Sequence, residues 1–121
     1  ELEGLSPEEI AELDVRAELR RAGLKQGQLA KFGARISPER RSEFYRHAVF
    51  KKAFFGLKAS AVEMTKGQWV VMLNSLVEVA VDIFRGDYVA DDLLRRHEKA
   101  VPPHLREEFR RIAQEIMQKN R

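Results

Sequence analysis

QWVVMLNSLVEVAVDIF, residues 68–84, is the stretch that decides the fold. Its length and lack of breakers predict one helix. Its polar positions are Gln68, Asn74, Ser75, Glu78 and Asp82, and the last four share a narrow strip at three- and four-residue steps. The rest is apolar: Trp69, Val70, Val71, Met72, Leu73, Leu76, Val77, Val79, Ala80, Val81, Ile83 and Phe84. A surface helix carries an apolar face a little over ~100° wide, and this one is apolar around most of its circumference. Burying one large aliphatic side chain is worth roughly 1.5–3 kcal/mol. Leaving half of these in water would forfeit an amount comparable to the ~5–15 kcal/mol net stability of a domain. Something must cover both sides. Either the other helices of the chain wrap this one, or they cover one side and a second polypeptide covers the other.

The flanking segments bear on that choice. Ser6-Pro7-Glu8-Glu9 is a helix start, with Ser6 as cap, Pro7 at the first helical position and Glu9 closing a capping box. The helix after it, ending near Gly23, has only the thin stripe Ile10, Leu13, Ala17. Residues 23–36 hold three glycines and read as a connector with about one turn of helix. Ser37-Pro38-Glu39 repeats the start signal for a helix to about Ala59. Phe50, Ala53, Phe54 and Leu57 form its stripe, widened by Phe44, Ala48 and Phe55, and Gly56 is its weak point. Thr65 and Gln68 have capping-box spacing, which starts the central helix at Lys66 or Gly67. It runs on through Gly86 to about Arg96, or bends or restarts at Gly86. Pro102-Pro103 breaks the chain, and a last helix to about Gln118 carries the stripe Leu105, Phe109, Ile112, Ile116. The expected fold class is all-α. With a thin first helix and two helices apolar on one side, the balance favours a second polypeptide as cover.

Composition sets the class. The 121 residues suffice for one domain, and 44% apolar with 34% charged residues is ordinary for a globular protein. No uninterrupted apolar run approaches the roughly 18–20 residues of a membrane span, so no membrane association is expected. No basic-then-apolar stretch of the secretory kind opens these residues. With no cysteine there are no disulfides, thiol nucleophiles or thiolate zinc sites. The net charge of +3 is uneven: residues 60–94 are acidic, whereas residues 37–59 and 95–121 are basic. The basic positions Arg46, Lys51, Lys52, Arg106, Arg110 and Arg111 are candidates for nucleic-acid contact, although Glu107, Glu108 and Glu115 interrupt the last three.

Catalytic signals are lacking. His47, His97 and His104 have no metal-ligand spacing, and Asp91 and Asp92 are adjacent on a helix, about 100° apart, so they read as solvated. There is no nucleophile elbow and no phosphate-binding glycine loop. Neither enzyme activity nor a metal or other cofactor is expected. Trp69, opening a buried helix, reads as a core or interface anchor rather than a ligand-stacking platform.

Three stretches carry a resemblance. In ISPERRSEFYRHAVFKKAFFGL (36–57), Tyr45, Arg46, Phe50 and Lys52 fit a Tyr-Arg-Arg-x-x-Phe-x-Lys pattern, with His47 at the second Arg. In WVVMLNSL (69–76), Val70, Val71 and Ser75 fit Val-Val-x-x-x-Ser. In PPHLREEFRRI (102–112), Pro102, His104, Leu105, Arg106, Glu107, Arg110, Arg111 and Ile112 fit a closing Pro-x-His-Met/Leu-Arg-Glu-x-x-Arg-Arg-Leu. Over roughly residues 36–113 the chain resembles the histone-fold TBP-associated factor of TFIID that pairs with the smallest histone-fold factor of that complex. A Phe-Val-Gly-Glu-x-Val segment of that family has only an approximate counterpart at residues 83–89.

The resemblance implies a histone-fold-like pairing domain over residues 36–121, preceded by an extra N-terminal helix and connector at 1–35. It implies a non-enzymatic, nuclear scaffold subunit of a transcription or chromatin complex that heterodimerises through its helices and has DNA as a second candidate partner. Trp69, Leu73, Leu76, Val77, Ala80 and Phe84, with Leu105, Phe109 and Ile112, would then divide between core and interface. Two alternatives stand beside it: a self-contained helical adaptor bundle that docks a partner helix, and a DNA-binding helical bundle. A cytoplasmic location goes with the adaptor or a bacterial DNA binder.

Overall fold

The computed structural model describes residues 35–86 and 88–119, together with Ala17, Arg20 and Arg21, which are helical. The expected start at Ser6 and most of the thin first helix lie outside the described residues. Every regular element among the described residues is a helix and none is a strand, so the all-α expectation is borne out. A 3-10 turn, Pro38–Arg40, leads into α1 (Arg41–Arg46) and α2 (Ala48–Lys58). Then come α3 (Lys66–Arg85), α4 (Ala90–Glu98), a second 3-10 turn, Pro103–Leu105, and α5 (Arg106–Lys119).

The single helix expected from Ser37 to Ala59 is broken at His47. That residue is extended (φ −70°, ψ 145°), its Nδ1 accepts the Val49 N–H at 3.2 Å, and it caps α2. The break lets Phe44 and Tyr45 close against Phe50, with ring centroids 5.2 and 5.1 Å away. In α2 the stripe Phe50, Ala53, Phe54, Leu57 is buried as expected. Ala48 and Phe55 do not widen it; both face solvent.

α3 starts where its cap predicts. Thr65 Oγ1 accepts the Gln68 N–H at 3.1 Å, and Gln68 Oε1 accepts the Thr65 N–H at 3.0 Å. The helix ends at Gly86, which takes φ +73°, a left-handed C-cap suited to glycine. This stop resolves the choice left open at Gly86, and it supplies the missing cover. Instead of running on, residues 90–98 fold back as α4 against α3 and bring Leu93 into the core. α3 packs on α2, α4 and α5, while α2 and α4 each meet α5. Gly56 marks a close approach of α2 and α5: a Cβ there would stand 3.1 Å from Ile112 Cγ2. The α5 stripe Leu105, Phe109, Ile112, Ile116 is wholly buried.

The all-round helix is therefore hidden within one chain. Met72, Leu73 and Val81, which point in different directions, are all buried. The solvent line on α3 follows Gly67, Val71, Asn74 and the half-buried Glu78. Ser75 and Asp82, expected on the same polar strip, are buried. By length and composition α3 is apolar enough to cross a membrane, but more than half of its most apolar window lies inside the bundle, as in a core helix.

Candidate functional site

Seven of the nine residues expected to serve a partner, Leu73, Leu76, Val77, Ala80, Leu105, Phe109 and Ile112, are interior residues of this chain. They offer no surface to a second chain unless the bundle opens. Phe84 is half-covered by its own neighbours: the Phe44 ring lies 5.3 Å away, the His47 ring 5.3 Å, and the Arg40 guanidinium 4.6 Å above its face. Trp69 remains partly open and stands edge-on to Phe54, centroids 6.2 Å apart.

The basic positions do not form one face. Arg110 is bidentate on Glu98 (2.7 and 3.2 Å), and Arg111 pairs with Glu108 and Glu115. Arg106 Nε donates to the carbonyls of Glu98 and Val101, tying the end of α4 to α5. Arg46 is half-buried, and its Nε has no hydrogen-bond partner among the described residues. Among the described residues, the exposed Lys51 and the half-buried Lys52 of α2 show no such ties. The three α5 arginines thus hold structural bonds, in keeping with the interruption by acidic residues expected from the sequence.

Two constellations were not anticipated as units. The first surrounds Asp82, 1% exposed in the last turn of α3. Its oxygens accept from Arg35 at 2.7 Å and His97 Nε2 at 2.7 Å, and Arg96 stands 3.7 Å away. Burial pushes the Asp82 carboxyl up, but the hydrogen bonds from His97 and Arg35 outweigh it and hold the group below the usual carboxylate value. Asp82 is thus an ionised brace joining residue 35, α3 and α4. Arg35 also lies 3.6 Å from Glu78, and Arg96 is bonded to Asp92 at 2.8 Å. An Asp–His pair can orient a general base. Here the His97 nitrogen that faces Asp82 is occupied, His97 is largely buried, and no nucleophile among the described residues is bonded to it. Asp91 and Asp92 are exposed, in keeping with solvated carboxylates. Among the described residues no cluster of three His, Cys, Asp or Glu is placed to hold a metal.

The second constellation is a cavity of about 460 Å³ where the end of α2 meets the start of α3. Phe54, Met64 and Trp69 are its more buried walls, and the exposed Arg21, Lys58 and Lys66 stand around it beside Thr65. No acidic side chain lines it among the described residues; Glu63 lies on a shallower neighbouring hollow with Met64, Thr65 and Gln68. The amino end of α3 adds the positive end of a helix dipole. The stripe Phe54–Leu57 and the Thr65 cap are legible separately in the sequence. That they meet Arg21 around one opening is a tertiary fact.

No family model, curated protein or solved structure matches the chain.

Proposed function

We propose that the protein is a non-enzymatic, self-contained helical binding domain that works as a single folded chain. One observation carries this reading: α3 is covered from several sides by its own chain, with Met72, Leu73 and Val81, roughly 100° and 180° apart around the helix, all buried. The thermodynamic reason for a mate, apolar area left in water, is therefore removed. The early end of α3 at Gly86 also counts against a long central helix crossing its counterpart in a partner. A nuclear location and a transcription partner rest only on the sequence resemblance over residues 36–113, and pairing in that manner would first require the bundle to open. The cavity between α2 and α3, with its partly exposed Trp69, supports placing the binding surface there. Thermal unfolding across a hundredfold range of protein concentration tests the reading. A self-contained domain melts cooperatively at a temperature that does not move with concentration, whereas a pairing subunit gains stability by mass action and its midpoint climbs.

A further inference from the structure

We propose that the cleft between α2 and α3 binds an amphiphilic anion: a small molecule with an apolar body and one carboxylate or phosphate head. The inference rests on the reading of the chain as a single-chain binding domain and names the ligand class of that surface.

Size comes first. A cavity of about 460 Å³ lies within the roughly 300–1,000 Å³ range of small-molecule sites. A groove for a partner helix would need anchors along an extended line. Among the described residues the exposed large hydrophobic ones, Phe55, Val62, Val71 and Val89, are instead scattered over α2, the connector after it, α3 and the start of α4. They do not continue the cleft in a row.

Chemistry comes second. Phe54, Met64 and Trp69 give an apolar lining in which the unbranched Met64 adapts to the shape of its guest. Lys66, exposed at the first turn of α3, bears a full positive charge beside that lining and the amino end of the helix, and Arg21 and Lys58, each engaged in an interaction of its own, stand at the rim. The local field favours an anionic head. Apolar walls with cations at the mouth fit a molecule that is greasy at one end and negative at the other. A neutral hydrocarbon would forgo the charge, and a bare phosphate would forgo the walls.

Trp69 is the one tryptophan of the chain and lines the cleft, so its emission reports occupancy directly. The full chain would be titrated with dodecanoate, dodecyl phosphate and neutral 1-decanol, each below its aggregation or solubility limit. The expected result is a saturable change in Trp69 emission with at least one of the two anions, and affinity for 1-decanol lower by about tenfold or more. The better of the two anions identifies the head. Lys66→Glu, at an exposed position, is expected to leave the far-ultraviolet circular dichroism and melting temperature near wild type while weakening anion binding by about tenfold. Calorimetry on the same proteins gives a readout independent of the fluorophore. Equal affinity for 1-decanol, unchanged anion binding in Lys66→Glu, or no saturable signal with either anion up to about 1 mM would overturn the assignment. So would a Trp69 response confined to an acidic amphipathic peptide, which would point to a protein partner. A monomer that binds neither anion refutes the ligand class alone, whereas a chain that is dimeric by sedimentation refutes the underlying reading.

Discussion

Replacing Asp82 with alanine removes the one buried carboxylate that joins residue 35, α3 and α4. Two bonds of 2.7 Å disappear, from Arg35 and from His97. A hydrogen bond to a charged group is worth about 1.5–3 kcal/mol, but the full sum does not apply. Arg35 is 40% exposed and keeps Glu78 within 3.6 Å, and Arg96 keeps Asp92 at 2.8 Å, so both re-solvate or re-pair cheaply. The desolvation cost of Asp82 itself is also relieved. His97, 12% exposed, is left with its Nε2 facing the vacated space. The net loss is therefore about 2–3 kcal/mol, a fall of roughly 10 °C in melting temperature for a domain of this size. Urea denaturation followed by circular dichroism at pH 7 measures it. The pH dependence has a definite sign. The folded Asp82 carboxyl lies below its unfolded value near 4. Its stabilisation is therefore fully present above about pH 4 and is lost as the pH falls through the lower folded value. The gap between wild type and Asp82→Ala should narrow accordingly in acid. His97→Ala should cost less in the Asp82→Ala background than alone, because the two share one interaction. A loss under about 0.5 kcal/mol at pH 7, or a gap that stays unchanged down to pH 2, would refute the brace.

Three further substitutions probe the architecture. Thr65→Ala removes the side-chain acceptor of the capping box and should cost about 1 kcal/mol in denaturant unfolding, whereas Thr65→Ser should cost little. Gly86→Val places a β-branched residue at φ +73°, where nothing within 4 Å would clash. Backbone strain alone should then destabilise by about 1–2 kcal/mol, and an unchanged midpoint would mean that α3 does not stop there. Glu108 is held at about 2, chiefly by its bond from Arg111 and further by Ser60, against the opposing effect of burial. It stabilises the fold above about pH 4.5 and loses that effect as the pH falls toward 2. Arg111 is half exposed, which limits the contribution to about 1 kcal/mol. Glu108→Gln should show that loss at pH 7 and none near pH 2, by the same unfolding assay.

The parts of this fold that sequence reading captures are local. The Thr65–Gln68 cap needs two residues three apart, and the stripes of α2 and α5 need only the helical repeat, so all three are visible before any tertiary structure forms. The interior break at His47 is less visible. An imidazole capping a helix gives no strong sequence signal, and the run Arg41 to Lys58 reads equally well as continuous. Gly86 announces a stop but not the direction the chain takes beyond it, and it is the return of α4 that turns an apparently overexposed helix into a core. Asp82 is the clearest case of information held elsewhere. Its position among Val81 and Ile83 marks it as costly, but its partners lie 47 and 15 residues away. Along the helix alone, it falls on the polar strip with Glu78. The cleft is likewise assembled from three segments, and Arg21 comes to it from far outside α2 and α3. The candidate nucleic-acid arginines show the same split: the interleaved acids are visible in sequence, whereas the pairing of Arg110 with Glu98 across two helices is not.

Sedimentation of the isolated chain over a wide concentration range measures whether α3 is satisfied within its own molecule. A self-covered α3 predicts a soluble species at the 14.0 kDa of one chain throughout. A species of twice that mass, or a chain that becomes soluble only alongside a coexpressed mate, would contradict it.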